Sequence, residues 1–245
     1  MPDKLIVALD VPNLAEAEKL VAILSPVVKI FKVGKELFTA AGPEAVRMVH
    51  AHRGKVFLDL KFHDIPNTVA SACQAASRLG VFMMNVHALG GKAMLSAAAR
   101  VAGKTKIIGV TVLTSLTDRD LPEIGVRGGV KEEVEKLALL VQECGLDGVV
   151  ASGQEIELIR KVTGKRFLIV TPGVRPLWAA HGDQKRIITP KEAIEKGADY
   201  VVVGRPITQD KNPREAAEKI TQEMESFHPN QGAEGEFIQK ERKRV

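Results

Sequence analysis

The sequence contains few cysteines, few aromatic residues and no apolar run long enough to span a membrane. Its 245 residues include two cysteines, one tryptophan and one tyrosine, and aromatic residues make up only 4% of the chain. The cysteines, Cys73 and Cys144, are far apart, which argues against a disulfide framework or a cysteine-based metal site and favours reduced thiols. The apolar run near the start, from Leu5 to Leu9, is too short for a signal peptide core. We therefore expect a cytoplasmic protein that binds no membrane.

Small aliphatic residues dominate instead, and they favour tight packing of helices on a sheet. The chain is 45% hydrophobic and 27% charged, which suits one large globular domain. From residue 228 to 245 the sequence turns polar, glycine-rich and basic, so we predict a domain over 1–227 followed by a loosely ordered extension. The net charge is +5. Much of the excess lies in the extension, where basic residues are usually solvated, so we expect no nucleic-acid partner.

Short β-branched runs recur about every 25 to 30 residues, a spacing typical of βα units. Amphipathic segments lie between them, beginning with one that follows the plausible N-cap Asn13. This alternation predicts an α/β fold with a single (β/α)8 TIM barrel. The predicted strands cover residues 5–10, 28–34, 55–61, 81–88, 106–114, 148–153, 166–173 and 200–204. Two long connections, 115–130 and 174–188, are typical of lids or binding loops.

Charged residues gather where the third strand should end. Asp59 and Lys61 are two apart, so a regular strand would point both to one face, and Asp64 follows in the next turn. Buried charges are costly unless they neutralise one another or take part in chemistry. A lysine between acidic residues is held protonated and suits proton donation better than Schiff-base chemistry. A salt-bridged layer closing the barrel mouth is the structural alternative, although Asp10 and Lys32 at neighbouring strand ends supply more charge than closure requires.

A second polar group follows the last two strands and suggests an anion site. Gly204 ends the eighth strand with Arg205 beside it, and Arg175 follows the seventh strand. Barrel enzymes commonly bind phosphate at these loops, through backbone N–H groups and bidentate arginine. Gln184, in the second long loop, could reach over the same phosphate as part of a closing lid.

The run DLKFHDIPNT, with its Asp-x-Lys-x-x-Asp-Ile pattern, resembles the bacterial type of orotidine 5′-phosphate decarboxylase. The similarity covers roughly residues 3 to 227 and includes the motifs around Asp10, Lys32, Thr114, Arg175, Gln184 and Gly204–Arg205. It implies decarboxylation of orotidine 5′-monophosphate to uridine 5′-monophosphate and CO2, in pyrimidine nucleotide synthesis, by a homodimer that uses no metal or organic cofactor.

The same resemblance implies a role for each matching residue. Lys61 would protonate C6 of the pyrimidine while Asp59 sits against the departing carboxylate. Asp10 and Lys32 would bind ribose hydroxyls, and Thr114 would help to cover the base. The phosphate would be held by Arg175, Gln184, Arg205 and the Gly204 backbone. Asp64, Ile65 and Thr68 would be lent to the partner subunit's site.

Two other functions remain open from the residues. Mg²⁺-dependent sugar-phosphate decarboxylases and aldolases share the Asp-x-Lys-x-x-Asp motif, but they typically offer a carboxylate at the end of the second strand. Here that position carries Lys32, which would repel a divalent cation. The other alternative is a non-catalytic barrel that binds polyanions through its basic surface, with a steep salt dependence unaffected by Lys61→Ala.

Overall fold

The computed structural model describes residues 3–179 and 188–226, and these form a closed parallel barrel of eight strands in chain order. The TIM-barrel prediction is confirmed. The strands are β1 Leu5–Ala8, β2 Ile30–Gly34, β3 Lys55–Phe62, β4 Met83–His87, β5 Lys106–Val110, β6 Gly148–Val150, β7 Leu168–Thr171 and β8 Tyr200–Val203. Pairing of β8 with β1, in which Ile6 lies opposite Val202, closes the sheet.

Helices cover the outside of the barrel within the described residues. They are α1 Leu14–Leu24, α2 Lys35–Ala41, α3 Glu44–Ala51, α4 Pro66–Arg78, α5 Gly91–Arg100, α6 Val130–Glu143, α7 Ile156–Thr163, α8 Pro190–Glu195, α9 Arg205–Thr208 and α10 Pro213–Glu225. Neither α2 nor α9 is predicted from the sequence, because both are short and follow directly on a strand. In the part of the chain that the structure describes, no helix has the length and apolar character needed to cross a membrane.

Local sequence signals explain where several helices begin. Asn13 caps α1, its side chain accepting a hydrogen bond from the Glu16 amide at 2.9 Å, as predicted. Thr189 and Glu192 form a reciprocal capping box at the start of α8. Pro66 is the first residue of α4, where a missing N–H costs nothing. These signals fix the direction in which the chain leaves each loop.

The barrel has two separate apolar layers. The residues that point into the barrel form a small cluster. Its buried members are Ile6, Ala8, Ile30, Phe57, Met83, Ile108, Val170 and Val202. Their outward-pointing neighbours join the helices in one much larger core. Apolar side chains therefore fill the interior up to the next layer, in which Lys32, Asp59 and Asn85 lie on β2, β3 and β4. Polar residues at the carboxyl ends of the strands form the mouth of the barrel.

Several strands are shorter than the sequence predicts. β5 ends at Val110 rather than at residue 114, and β6 ends at Val150 rather than at 153. Both predictions extend the strand to the end of an apolar run, but the last residues of each run are not paired with a neighbouring strand. The longer loops that result place Thr114 outside the barrel sheet. The predicted extension over 228–245 lies outside the described residues.

Candidate active site

A cavity of about 430 Å³ opens at the carboxyl ends of the strands, where the sequence predicts a site. Its walls come from β1, β2 and β3 on one side and from the segments after β7 and β8 on the other. The residues lining it are Ala8, Asp10, Lys32, Asp59, Lys61, Pro172, Gly173, Val174, Arg175, Val202, Gly204, Arg205, Pro206, Thr208 and Gln209. A cavity of this size accommodates a small organic ligand.

The carboxylate of Asp59 is the centre of the charged group. Its Oδ1 accepts hydrogen bonds from Lys61 Nζ at 2.5 Å and from Asn85 Nδ2 at 2.6 Å. Its Oδ2 lies 3.4 Å from Lys32 Nζ. One carboxylate is thus held by two ammonium groups and an amide, which matches the requirement that a buried charge be both paired and hydrogen-bonded.

Lys32 connects this group to the neighbouring strand end. Its Nζ lies 2.7 Å from Asp10 Oδ1, and the Lys32 side chain is buried whereas that of Asp10 is largely exposed. Gly34 makes room for this pair, because a Cβ there would lie 2.8 Å from Lys32 Nζ and 2.9 Å from Asp10 Oδ1. The sequence shows Gly34 in the motif FKVG but gives no sign that the pair lies above it.

The positive charges decide the ionisation state of Asp59. Burial favours the neutral acid, but Lys32, Lys61 and the hydrogen bonds from Lys61 and Asn85 outweigh it and lower the pKa of Asp59 below its usual value of 3.8. Asp59 is therefore ionised at neutral pH. On this side of the cavity the two lysines therefore face two carboxylates, those of Asp10 and Asp59.

Lys61 reaches Asp59 through an irregular backbone rather than a regular pleat. Leu58 pairs with Met84 and Phe62 pairs with Val86, so β3 advances four residues while β4 advances two. Within this bulge Lys61 has a φ of 54°, a left-handed conformation that costs an L-residue about 1–2 kcal/mol. The sequence predicts the contact between Asp59 and Lys61 correctly, but its reason, simple alternation along the strand, is wrong.

Asn85 is a residue of the site that sequence reasoning missed. It lies in the middle of β4, is completely buried, and contacts both the Asp59 carboxylate and the Lys61 backbone. A polar residue inside the apolar run MMNVH was the available signal. Thr208 and Gln209, which also line the cavity, follow the GRPI motif and were likewise not predicted.

The opposite wall of the cavity carries the predicted anion site. Arg175 is buried and Arg205 is exposed, and both line the cavity together with Gly204. Gly204 precedes the first turn of α9, in which Thr208 N donates to Gly204 O at 3.0 Å. The structure thus brings three of the four predicted phosphate residues together. Gln184 lies outside the described residues.

The turn after β3 points away from the cavity. His63 to Thr68 are all exposed, and Ile65 exposes 67% of its surface. The Asp64 carboxylate accepts a hydrogen bond from the Ile65 amide at 2.6 Å, and among the described residues it forms no ion pair with Lys61. Asp64, Ile65 and Thr68 are not cavity residues of their own chain.

Thr114, predicted to cover the base, and Ser152 both lie away from the cavity wall. Thr114 is exposed in the loop between β5 and α6 and does not line the cavity. Ser152 is buried just after β6, where its Oγ accepts from the Gln154 amide at 3.3 Å. Neither residue is in a position to touch a ligand in the cavity in this conformation.

His87, at the end of β4, packs against His63 with ring centroids 5.4 Å apart. Burial, with the charges of His63, Lys35 and Lys61, lowers the pKa of His87 against the opposing effect of Asp59. The imidazole is therefore neutral at neutral pH. The contact with His63 indicates a packing role for this side chain.

The donor set at the barrel mouth does not resemble a metal site. No cluster of three or more histidine, cysteine, aspartate or glutamate side chains that could hold a metal occurs in 3–179 or 188–226. Asp10 and Asp59 both line the cavity, but the Lys32 ammonium contacts both of them. It would repel a divalent cation.

Comparison with known proteins gives one consistent match. The sequence profile described as "Orotidine 5'-phosphate decarboxylase / HUMPS family" matches residues 3–220. A relative named orotidine 5'-phosphate decarboxylase from Moorella thermoacetica is 57% identical over 233 residues, which cover 91% of this chain and 92% of the relative. A relative of the same name from Geotalea daltonii is 52% identical, with 90% and 95% covered.

A solved structure shares the fold. The crystal structure of orotidine 5'-phosphate decarboxylase from Lactobacillus acidophilus aligns with a TM-score of 0.81 and 38% identity. The alignment covers 91% of this chain and 99% of that one. The range matched by the family profile, residues 3–220, contains all eight strands of the barrel.

Proposed function

The chain belongs to the orotidine 5'-phosphate decarboxylase / HUMPS family, and on that premise we propose that it converts orotidine 5′-monophosphate to uridine 5′-monophosphate and CO2. The proposed enzyme is a carboxy-lyase of pyrimidine nucleotide synthesis. The observation that carries the proposal is the arrangement Lys32–Asp59–Lys61 at the mouth of the barrel, with Lys61 Nζ 2.5 Å from Asp59.

In the proposed reaction Lys61 is the proton donor. Loss of CO2 leaves the electron pair of the broken C–C bond on C6 of the pyrimidine. The Lys61 ammonium stabilises this charge and then transfers a proton to C6, which leaves a neutral amine. Preorganised charge of this kind accelerates a reaction only if it stabilises the transition state more than the ground state. Each tenfold in rate requires about 1.36 kcal/mol of this difference. No metal or organic cofactor is needed in this scheme.

Asp59 has two effects in the proposed mechanism. Its ionised carboxylate orients the Lys61 ammonium through the short contact between Oδ1 and Nζ. It also lies where the substrate carboxylate would approach, so that departure of CO2 relieves a repulsion. Binding energy from the distant phosphate offsets the cost of bringing the two negative groups together.

The remaining cavity residues would bind the parts of the nucleotide that do not react. Asp10 and Lys32 would contact ribose hydroxyls from their paired position at the ends of β1 and β2. Arg175 and Arg205, with the backbone of Gly204, would bind the phosphate on the other wall. Gln184 would complete that site from the loop before α8, and Thr114 would approach the base when its own loop closes.

We also propose a homodimer in which Asp64, Ile65 and Thr68 complete the partner subunit's site. These residues are exposed in the turn after β3, and Leu89 and Leu113 expose 45% and 39% of their surfaces after the neighbouring strands β4 and β5. A row of exposed apolar residues on adjacent strand ends suits an interface. We further propose a cytoplasmic enzyme whose catalytic domain spans 1–227, since Cys73 and Cys144 are free and buried and the family match ends at residue 220.

The Mg²⁺-dependent reactions of the wider family are the second candidate. They typically use an acidic ligand where this chain has Lys32, whose ammonium lies 2.7 Å from Asp10 and 3.4 Å from Asp59. The charge distribution thus favours the orotidylate reaction over a metal-stabilised enediolate.

An ultraviolet assay of orotidylate in the presence of a chelator separates the two candidates. The proposal predicts loss of the orotidylate absorbance with formation of uridine 5′-monophosphate and CO2, at the same rate with and without chelator. Absence of turnover, or turnover abolished by chelator and restored by Mg²⁺, would contradict it.

A further inference from the structure

Asn85 is the only residue that contacts both the Asp59 carboxylate and the Lys61 backbone among the hydrogen bonds of 3–179 and 188–226. Its side chain lies on the inward face of β4, above Met83, and exposes 0% of its surface. Nδ2 donates to Asp59 Oδ1 at 2.6 Å, and Oδ1 accepts from Lys61 N at 2.8 Å. Both halves of the carboxamide are therefore used, each on one member of the pair.

The bulge in β3 explains why the Lys61 amide needs this partner. Between the pairs Leu58–Met84 and Phe62–Val86, three residues of β3 lie opposite the single residue Asn85. A regular parallel ladder would offer the Lys61 N–H a backbone carbonyl of β4. Here the Asn85 side chain takes its place and ties down a residue whose φ is 54°.

The direction of the Lys61 side chain depends on this backbone. A left-handed residue in a bulge aims its side chain away from the regular pleat, and bulges beside active sites redirect side chains in this way. Asp59 Oδ1 then receives Lys61 Nζ and Asn85 Nδ2 together, so the carboxylate cannot rotate without losing one of them.

From these contacts we infer that Asn85 is a positioning residue for the reaction, which holds the Lys61 backbone and the Asp59 carboxylate in the geometry required for proton transfer. The inference rests on the proposed function, because it concerns the same pair. Asn85 is not a cavity-lining residue and is not proposed to touch the substrate.

A buried asparagine that merely stabilises the fold is the alternative. It predicts that variants lose stability while the folded fraction keeps its turnover. Thr105 supplies a matched control, since it is also buried and its Oγ1 donates to the Val81 carbonyl at 3.0 Å, before the amino end of β5 and away from the cavity.

The test compares Asn85→Leu, Asn85→Asp and Thr105→Val in the full chain. For each variant, kcat and KM for orotidylate, affinity for uridine 5′-monophosphate and the thermal unfolding midpoint are measured. We expect kcat to fall about 10- to 100-fold in Asn85→Leu, by analogy with the outer-shell groups that orient metal ligands, with little change in nucleotide affinity. Thr105→Val should lower only the unfolding midpoint.

The pH profile of Asn85→Asp provides a readout that a structural role would not move. The ionised carboxyl keeps an acceptor for the Lys61 amide but places a negative charge against Asp59. On protonation the new carboxyl regains a donor. Two adjacent acids raise the pKa of one of them, so this protonation occurs at a higher pH than for an isolated carboxyl. Its kcat should therefore recover as the pH falls, relative to Asn85→Leu. The other charged or titratable groups facing the pair are Lys32, Asp10 and His87.

Each outcome decides the inference. A kcat close to wild type in folded Asn85→Leu, or identical pH profiles for the two Asn85 variants, would overturn it. If neither variant folds, exchange of the Lys61 amide and Asn85 carboxamide protons in the wild type decides, since slow exchange supports the positioning contacts and rapid exchange contradicts them. Absence of turnover in the wild type itself would instead contradict the proposed function.

Discussion

Asp59 is the residue on which the charges of the site converge. Its carboxylate contacts Lys32, Lys61 and Asn85, which bring two ammonium groups and a carboxamide to one buried acid. Burial by itself would favour the neutral acid, so the ionised state depends on these neighbours. The same charges that hold the fold together at this point are the ones proposed to act on the substrate.

Replacing Lys32 with methionine tests this dependence. Because the folded pKa of Asp59 lies below its usual value of 3.8, its ionised form stabilises the fold fully above that value, and the contribution is lost as the pH falls through the folded pKa. Lys32→Met removes a lowering charge while burial remains, so acid unfolding followed by circular dichroism should begin at higher pH than in the wild type.

Lys136→Met is the control for that experiment, because Lys136 forms an exposed pair with Glu132 on α6. It should leave the acid-unfolding profile close to that of the wild type, since exposed pairs contribute little. An unchanged profile in Lys32→Met would show that Lys32 does not keep Asp59 ionised.

At the scale of the elements, β3 lacks the regular pleat that its sequence predicts. Alternation predicts the contact between Asp59 and Lys61 for the wrong reason, because it cannot reveal a bulge, which depends on the register with β4. The Asn85 contact was missed for the same reason, since it exists only once two strands pair. The caps of α1 and α8, by contrast, depend on residues within one turn, and Asn13 was predicted from the sequence.

The end of β2 gives a prediction about packing against the site. In Gly34→Ala the new Cβ would lie 2.8 Å from Lys32 Nζ, so the pair of Lys32 with Asp10 must shift. Because that pair is proposed to bind the ribose, steady-state kinetics should show a raised KM for orotidylate with a smaller effect on stability.

Gly109→Ala is the matched comparison on β5. Its Cβ would lie 2.3 Å from a Val141 methyl carbon on α6, in the layer between sheet and helices. It should lower the unfolding temperature and leave KM unchanged. An unchanged KM in Gly34→Ala would contradict the role given to the Asp10–Lys32 pair.

For the whole molecule, the recurrence of βα units was enough to predict the closed barrel, because each unit can bury its apolar face only against its neighbours. The convergence of Asp10, Lys32, Asp59, Arg175 and Arg205 followed from the rule that barrel sites form at the carboxyl ends of strands. Thr114 is the exception among the described residues, since its loop leaves the sheet four residues earlier than expected.

The proposed dimer predicts complementation between two inactive variants. Lys61→Ala and Asp64→Ala should each lose most activity as homodimers. In a heterodimer one of the two sites keeps both wild-type residues, because Lys61 serves its own site and Asp64 the partner's. Turnover should therefore reappear when the variants are mixed and reassembled, as measured by the orotidylate assay.

Verified heterodimers without activity would contradict the shared site, whereas a fully active Asp64→Ala homodimer would show that Asp64 is not needed at all. A mixture of each variant with itself, carried through the same reassembly, is the control.

The turnover of Lys61→Ala with orotidylate tests the central claim most directly. Lys55→Ala is the matched control, since Lys55 begins the same strand at the opposite end of the barrel, with its Nζ 5.3 Å from the centre of the Phe82 ring. We predict that Lys61→Ala stays folded and binds uridine 5′-monophosphate, but that its kcat falls by about 10²- to 10⁴-fold, the usual contribution of a positioned acid. Lys55→Ala should turn over normally. Near-normal turnover by folded Lys61→Ala would contradict the account.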